Sequence, residues 1–213
     1  MQALLMKKRF CYNLITITET SMKKNSFSRN IVFVALFAAI SAVSGFLAVP
    51  VPGTPVPIVL QNMMVVLSGM LLGPVLGTAS TFLFVFAGLL GLPILSGGTG
   101  GFAKLMSPTG GFIVGYVISS LVAGLVMGKP VYGKKASLIK TIGAALLGFV
   151  VMYIPGVLHF MNIMDTGLKE TLMLCVIPYL PGDLLKLILC VLLSMTLRSS
   201  VASFVFGDDA EDD

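Results

Sequence analysis

From Ile31 to Leu197 the chain is a succession of apolar runs broken only by short segments rich in proline, glycine or lysine. A helix rises about 1.5 Å per residue and a bilayer core is about 30 Å thick, so runs of this length predict membrane-crossing helices. With 56% of its residues hydrophobic, 11% charged and a mean hydropathy of +1.00, the chain is not composed like a soluble domain. The expected fold class is an all-α integral membrane protein.

Six spans fit the pattern best. The first covers about 31–49 and stops at the proline-rich "PVPGTPVP" from Pro50 to Pro57. The second, about 59–72, is separated from a third ending near Leu92 only by "GPVLG", where the Gly73-Pro74 pair allows either a tight turn or a kink in one long helix. The glycine-rich loop 91–111 precedes a fourth span near 112–127, the basic linker "GKPVYGKKASLIK" a fifth near 141–159, and a sixth lies within 171–197. The expected organisation is thus a cytoplasmic N-terminal segment 1–29, a membrane domain 30–198 and an acidic cytoplasmic tail 199–213. The first segment has no long apolar run, which argues against a secretory signal, and Met22 before "KKNSFSRN" would serve as a natural start.

Lysine and arginine set the orientation. Six basic residues precede the first span, four lie between Lys129 and Lys140, and Arg198 follows the last, whereas the intervening loops hold only Lys104 and Lys169. Both termini are therefore expected on the cytoplasmic side. The net charge of +5 is spread in these short clusters, without the basic, aromatic-interleaved stripe of a nucleic-acid binder. Both irregular segments, the proline and glycine loops, fall on the outer face. Irregular backbone at membrane depth must be covered by protein or line a cavity, so a ligand site is expected there.

Asp183 and Lys186 stand three positions apart inside the last apolar run, on one face of a helix. Pro181 suits a first helical turn and an acid two residues later gains from the helix dipole, so a helix start with a local ion pair accounts for both. Ionisable groups within a membrane are costly, however, and usually face a polar cavity, which favours a binding role. A carboxylate and an ammonium together suit a small ligand carrying both N–H and C=O groups.

Other candidates are single residues. Gln61 opens the second span beside the proline loop, and Lys104 offers a cation to a carboxylate. Gly98 and Thr99 belong to "SGGTGG", which lacks the Gly-Lys-Ser/Thr ending of a phosphate loop and so does not support ATP binding. His159 is the only histidine, and Cys11, Cys175 and Cys190 stand apart, so neither a metal centre nor a disulfide framework is expected. In the first span Ala35 and Ala39 form one small-residue pair and Ala38 and Ala42 another, either for internal packing or for docking a separate membrane subunit.

Four ordered segments, "PVPIVLQNMMVVLSGMLLGP", "GLPILSGGTGG", "SPTGGFIVGY" and "LPGDLLK", closely resemble the BioY family, the biotin-specific S components of energy-coupling-factor (ECF) transporters. The resemblance covers about residues 30 to 198. It implies a six-helix subunit that captures biotin from outside and works with a transmembrane T component and two cytoplasmic ABC-type ATPases, using no cofactor and hydrolysing no ATP itself. It further implies that Asp183 meets the ureido N–H groups, that Lys186 meets the ureido carbonyl, that Thr99 is a polar site position, and that Ala35 and Ala39 dock on the T component. Where some members carry Arg after "GGY", this chain has Ile113 after "GGF". The anchor for the valerate carboxylate is therefore open between Lys104, loop N–H groups and solvent.

Competing functions fare less well. An S component for another vitamin would leave the PGDxxK segment and glycine loop without their natural ligand. An intramembrane enzyme would need a catalytic set, and neither HExxH, GxSxG nor a pair of intramembrane aspartates is present. A stand-alone secondary transporter would usually need more intramembrane ionisable groups than Asp183 and Lys186. A membrane scaffold would leave that pair and both irregular loops unexplained.

Overall fold

The computed structural model describes residues 27–131 and 136–206. The N-terminal segment with Met22 and Cys11, the linker residues Lys134 and Lys135, and the acidic end of the tail lie outside the described residues. Five helices are long and apolar enough to cross a membrane. α1 spans Phe27–Ser44 and α2 spans Gln61–Leu89. α3 covers Gly110–Met127 and α4 Leu138–Met164. A short α5, Leu168–Cys175, then leads through a single 3₁₀ turn at Ile177–Tyr179 into α6, Leu180–Phe206.

The Gly73-Pro74 pair folds α2 back on itself. Gly73 has φ 81° and ψ −177°, a backbone position that glycine reaches without a Cβ penalty. A Cβ built on Gly77 would sit 2.6 Å from the Gly69 Cα, and Ser68 Oγ lies 3.2 Å from Thr81 Oγ1. Residues four to either side of the break therefore touch, which a kink would not permit. The two arms are separate antiparallel rods.

Small residues let the rods close up, as they do where lipid supplies no hydrophobic drive between helices. On α3 a Cβ at Gly115 would lie 2.7 Å from the Met152 carbonyl oxygen of α4. Buried hydroxyls join the same core: Ser68 Oγ pairs with Ser120 Oγ at 3.2 Å, and Ser119 Oγ donates to the Gly148 carbonyl at 2.7 Å. Among large side chains, Phe84, Phe160, Met70 and Met152 are fully enclosed, while Leu36, Leu125, Leu146 and Leu184 point outward, as expected of a bundle solvated by lipid.

Three elements depart from the sequence expectation. α1 starts at Phe27 and ends at Ser44, since Ala48–Val49 leaves the helix to pair antiparallel with Ile58–Val59 as β1 and β2. The register is Ala48 with Val59 and Val49 with Ile58, so "PVPGTPVP" is the loop of a small hairpin. At the other terminus α6 continues through Arg198 to Phe206. Arg198 does not flank the last helix in solvent; its guanidinium is buried and donates to the Met70, Met127 and Gly128 carbonyls, the last two at 3.0 and 2.8 Å. It thus caps the ends of α3 and of the first α2 arm, where the helix dipoles favour a cation.

Candidate ligand-binding site

Hairpin, loop and helix ends gather at one end of the bundle around a cavity of about 600 Å³, its open mouth included. Each wall follows from a local feature of the chain. Val56, Pro57 and Val59 come from the hairpin, Leu95 and Ser96 from the glycine loop, and Phe112, Ile113 and Tyr116 from the first turns of α3. Met152 and Tyr153 come from α4, Cys175 and Tyr179 from the α5–α6 connection, and Asp183 and Lys186 from α6.

The two charges lie side by side in this cavity. Lys186 Nζ is 3.0 Å from Asp183 Oδ1, and the residues are only 6% and 8% exposed. A buried ion pair is held only when further hydrogen bonds satisfy what the partners leave over. Asn62 supplies them: its Nδ2 donates to Asp183 Oδ1 at 3.2 Å and its Oδ1 accepts from Lys186 Nζ at 3.2 Å. The Tyr153 hydroxyl donates to Asp183 Oδ2. Its ring stands edge-on to Phe112, with centroids 5.9 Å apart and planes at 85°, which fixes the phenol and builds an aromatic wall.

Gln61 adjoins this cluster and is completely buried. Its Nε2 donates to the Ser41 carbonyl of α1 at 3.0 Å and to the Ile94 carbonyl of the glycine loop at 2.8 Å. One amide thereby joins α1, the first arm of α2 and the loop. Gly45 permits it, because a Cβ there would collide with that nitrogen.

Around the mouth the connections are tied by side chain to backbone bonds. The Tyr179 hydroxyl donates to the Val56 carbonyl of the proline hairpin. His159 Nε2 lies 3.1 Å from the Ser107 carbonyl, beside the 3₁₀ turn Phe102–Met106 that carries Lys104. Lys104 and Thr109 both border the cavity, and partial burial draws the Lys104 ammonium below its ordinary pKa of 10.5.

Of the residues singled out from the sequence, Asp183, Lys186, Gln61 and Lys104 meet at this cavity. Gly98 and Thr99 do not line it: Thr99 is exposed, with Oγ1 donating to the Ser96 carbonyl at 2.9 Å, and Gly98 packs near Phe46. The tight turn closed by Leu95 N to Thr99 O at 2.9 Å presents Leu95 and Ser96 inward instead. Ala35 and Ala39 lie on the exposed face of α1, while Ala38 and Ala42 face the bundle. Asn62 and Tyr153 were not anticipated. Asn62 carries a signal, a second amide next to Gln61 in an apolar run, whereas a tyrosine in a membrane helix carries none.

Known proteins resemble this chain over most of its length. The model of the BioY family matches residues 17–203. A biotin transporter BioY of Rhodobacter capsulatus is 34% identical over 178 residues, covering 79% of this chain and 93% of that protein. A probable biotin transporter BioY of Pyrococcus horikoshii is 31% identical over 173 residues, covering 81% and 98%. Among solved structures, the S-component for biotin from an ECF-type ABC transporter superposes with a TM-score of 0.72 at 29% identity, over 82% of this chain and 93% of that one.

Proposed function

The chain belongs to the BioY family, a family of transporter subunits and not of enzymes, and from that premise we propose that it is the substrate-binding membrane subunit for biotin uptake. The observation that carries this reading is the buried Asp183–Lys186–Asn62 cluster at the floor of an aromatic-walled cavity. Biotin offers two ureido N–H groups and a carbonyl on one edge, an apolar fused ring and a carboxylate tail. The cluster complements the ureido edge, with Asp183 taking N–H and Lys186 giving N–H to the carbonyl. Phe112, Tyr116, Met152 and Ile113 provide apolar walls for the sulfur ring, and Lys104 is the cation nearest in kind to what the carboxylate needs.

The basic residues favour capture from outside. Arg198 contacts the end of α3 near Lys129, and Lys140 opens α4 at that same end, opposite the cavity. By the distribution of positive charge that end faces the cytoplasm of a bacterial-type cell membrane, and the cavity faces out. Transport then requires energy from elsewhere, since the chain carries no phosphate loop, and an ECF T component with two ABC-type ATPases supplies it. The exposed Ala35–Ala39 stripe of α1 is the surface assigned to the T component, because small residues let two membrane helices approach closely.

Equilibrium binding of labelled biotin to the purified, detergent-solubilised protein tests the reading directly. Saturable binding displaced by biotin but not by riboflavin or thiamine is the expected result. A folded sample that binds none of the three, or that prefers another vitamin, overturns it.

A further inference from the structure

The polar cluster leaves a countable set of groups for a ligand. Asp183 Oδ1 accepts from Lys186 and Asn62, and Oδ2 accepts from Tyr153, so of a carboxylate's roughly four lone-pair directions one remains, on Oδ2. Lys186 spends two of its N–H groups on Asp183 and Asn62 and retains one. Asn62 Oδ1 is filled by Lys186 and by the Met63 backbone N–H at 2.9 Å, while Nδ2 keeps one hydrogen after its bond to Asp183. The Asp183, Lys186 and Asn62 side chains therefore offer a single acceptor and two donors. A cyclic urea carries one carbonyl, able to accept twice, and two N–H groups. Its second N–H has no partner on these three side chains.

Gln61, the neighbouring residue in the cavity wall, has the opposite surplus. Both of its N–H groups are committed to the Ser41 and Ile94 carbonyls, which also fixes which end of the amide is oxygen. Its Oε1 is buried and finds no partner among the described residues. A buried acceptor left unpaired is costly, and such groups call for a ligand, a water or a functional reason.

We propose that Gln61 Oε1 is the acceptor for the second ureido N–H, so that Asp183 and Gln61 each read one N–H while Lys186 and Asn62 share the carbonyl. This rests on the reading of the cavity as a biotin site, and it makes the specificity one for a cyclic urea and not merely for an amide. A lactam, with one N–H and one carbonyl, satisfies Asp183 and Lys186 but leaves Gln61 unpaired. Such asymmetry is large in other buried polar sites, where a ligand lacking one hydrogen-bonding group is strongly rejected.

The test uses the full chain in detergent, biotin, and the two cyclic carbamate analogues in which one or the other ring N–H is replaced by oxygen. Dissociation constants are measured by displacement of labelled biotin for the unaltered protein, Gln61→Met and Asp183→Asn. Both carbamates are expected to bind the unaltered protein at least tenfold more weakly than biotin. Gln61→Met should cost biotin and one carbamate about tenfold while costing the other nothing further. Asp183→Asn should show the reverse assignment of the two analogues. Gln61 also holds α1 and the loop, so a Gln61→Met protein that does not fold leaves the decision to Asp183→Asn. Both carbamates depending equally on Asp183 would then mean that Asp183 reads both N–H groups, which overturns the proposal. Equal losses for all three ligands in Gln61→Met would reduce Gln61 to a structural tie. Absence of biotin binding to the unaltered protein would instead overturn the biotin reading, a distinguishable failure.

Discussion

Asn62 and Asp183 lie 121 positions apart in the chain and meet side chain to side chain at 3.2 Å, with Lys186 closing the triangle. The first arm of α2 and the start of α6 are thus joined at the point where the ligand is expected. Asn62 both satisfies the ion pair and retains one free N–H. Removing it should weaken the site twice over, by leaving Lys186 short of an acceptor and by taking a donor from the ligand carbonyl. Asn62→Leu should reduce biotin affinity by about 2 kcal/mol, roughly thirtyfold. Displacement binding on the purified variant measures it; affinity within twofold of the unaltered protein would remove Asn62 from the site.

Asp183→Asn should be more damaging. The substitution leaves the Lys186 ammonium buried without its countercharge, a change that costs about 3–5 kcal/mol in comparable buried pairs. Biotin affinity should fall by a hundredfold or more. Thermal unfolding in detergent separates the two contributions: an unfolding temperature close to that of the unaltered protein together with lost binding identifies a ligand contact, and undiminished binding would return Asp183 to a helix-start ion pair.

How much of this was legible beforehand differs from residue to residue, for physical reasons. Asp183 and Lys186 could be read because charges inside an apolar run are anomalous whatever surrounds them. Gly73-Pro74 could not be resolved between kink and hairpin, since both satisfy the local backbone; the close contact of Gly69 with Gly77 decides it, and that contact is tertiary. Thr99 was marked by likeness of motif, yet a backbone bond between Leu95 and Thr99 turns that position outward. Arg198 resembled a topology-setting flank because a sequence does not show that three helix-end carbonyls converge on it. Asn62 lay beside a residue that was noticed, and its significance depends on a partner on another helix.

Arg198→Met should destabilise the bundle without touching ligand contacts. The guanidinium meets three carbonyls at the ends of two helices, and hydrogen bonds to a charged group contribute about 1.5–3 kcal/mol each before the cost of desolvation. The expected outcome is a lower unfolding temperature, with biotin affinity of the folded fraction preserved. A variant as stable as the unaltered protein would show that the buried charge offsets what its bonds contribute.

Ala35→Leu should separate capture from coupling. Ala35 is exposed on α1, away from the cavity, so a larger side chain has nothing within the subunit to displace. Biotin binding by the isolated protein should remain, while recovery of the complex with the T component and ATPases should fall. Unchanged recovery would place the docking surface elsewhere.

Lys104 sets the pH dependence if it anchors the carboxylate. Its folded pKa is lowered by burial, so the ammonium is lost on raising pH sooner than from a free lysine, and attraction for a carboxylate is present at neutral pH and lost as pH rises through that lowered value. Biotin affinity should therefore decline in the alkaline range below 10.5, and uncharged biotin amide should show no corresponding decline. Biotin and its amide carry the same ureido ring, so any effect on the ureido contacts falls on both ligands alike and the difference between them reports on the carboxylate. Lys104→Arg keeps its charge throughout this range and should abolish the difference between acid and amide profiles. Parallel profiles for biotin and its amide in the unaltered protein would show that the carboxylate is held by backbone N–H groups or left in solvent.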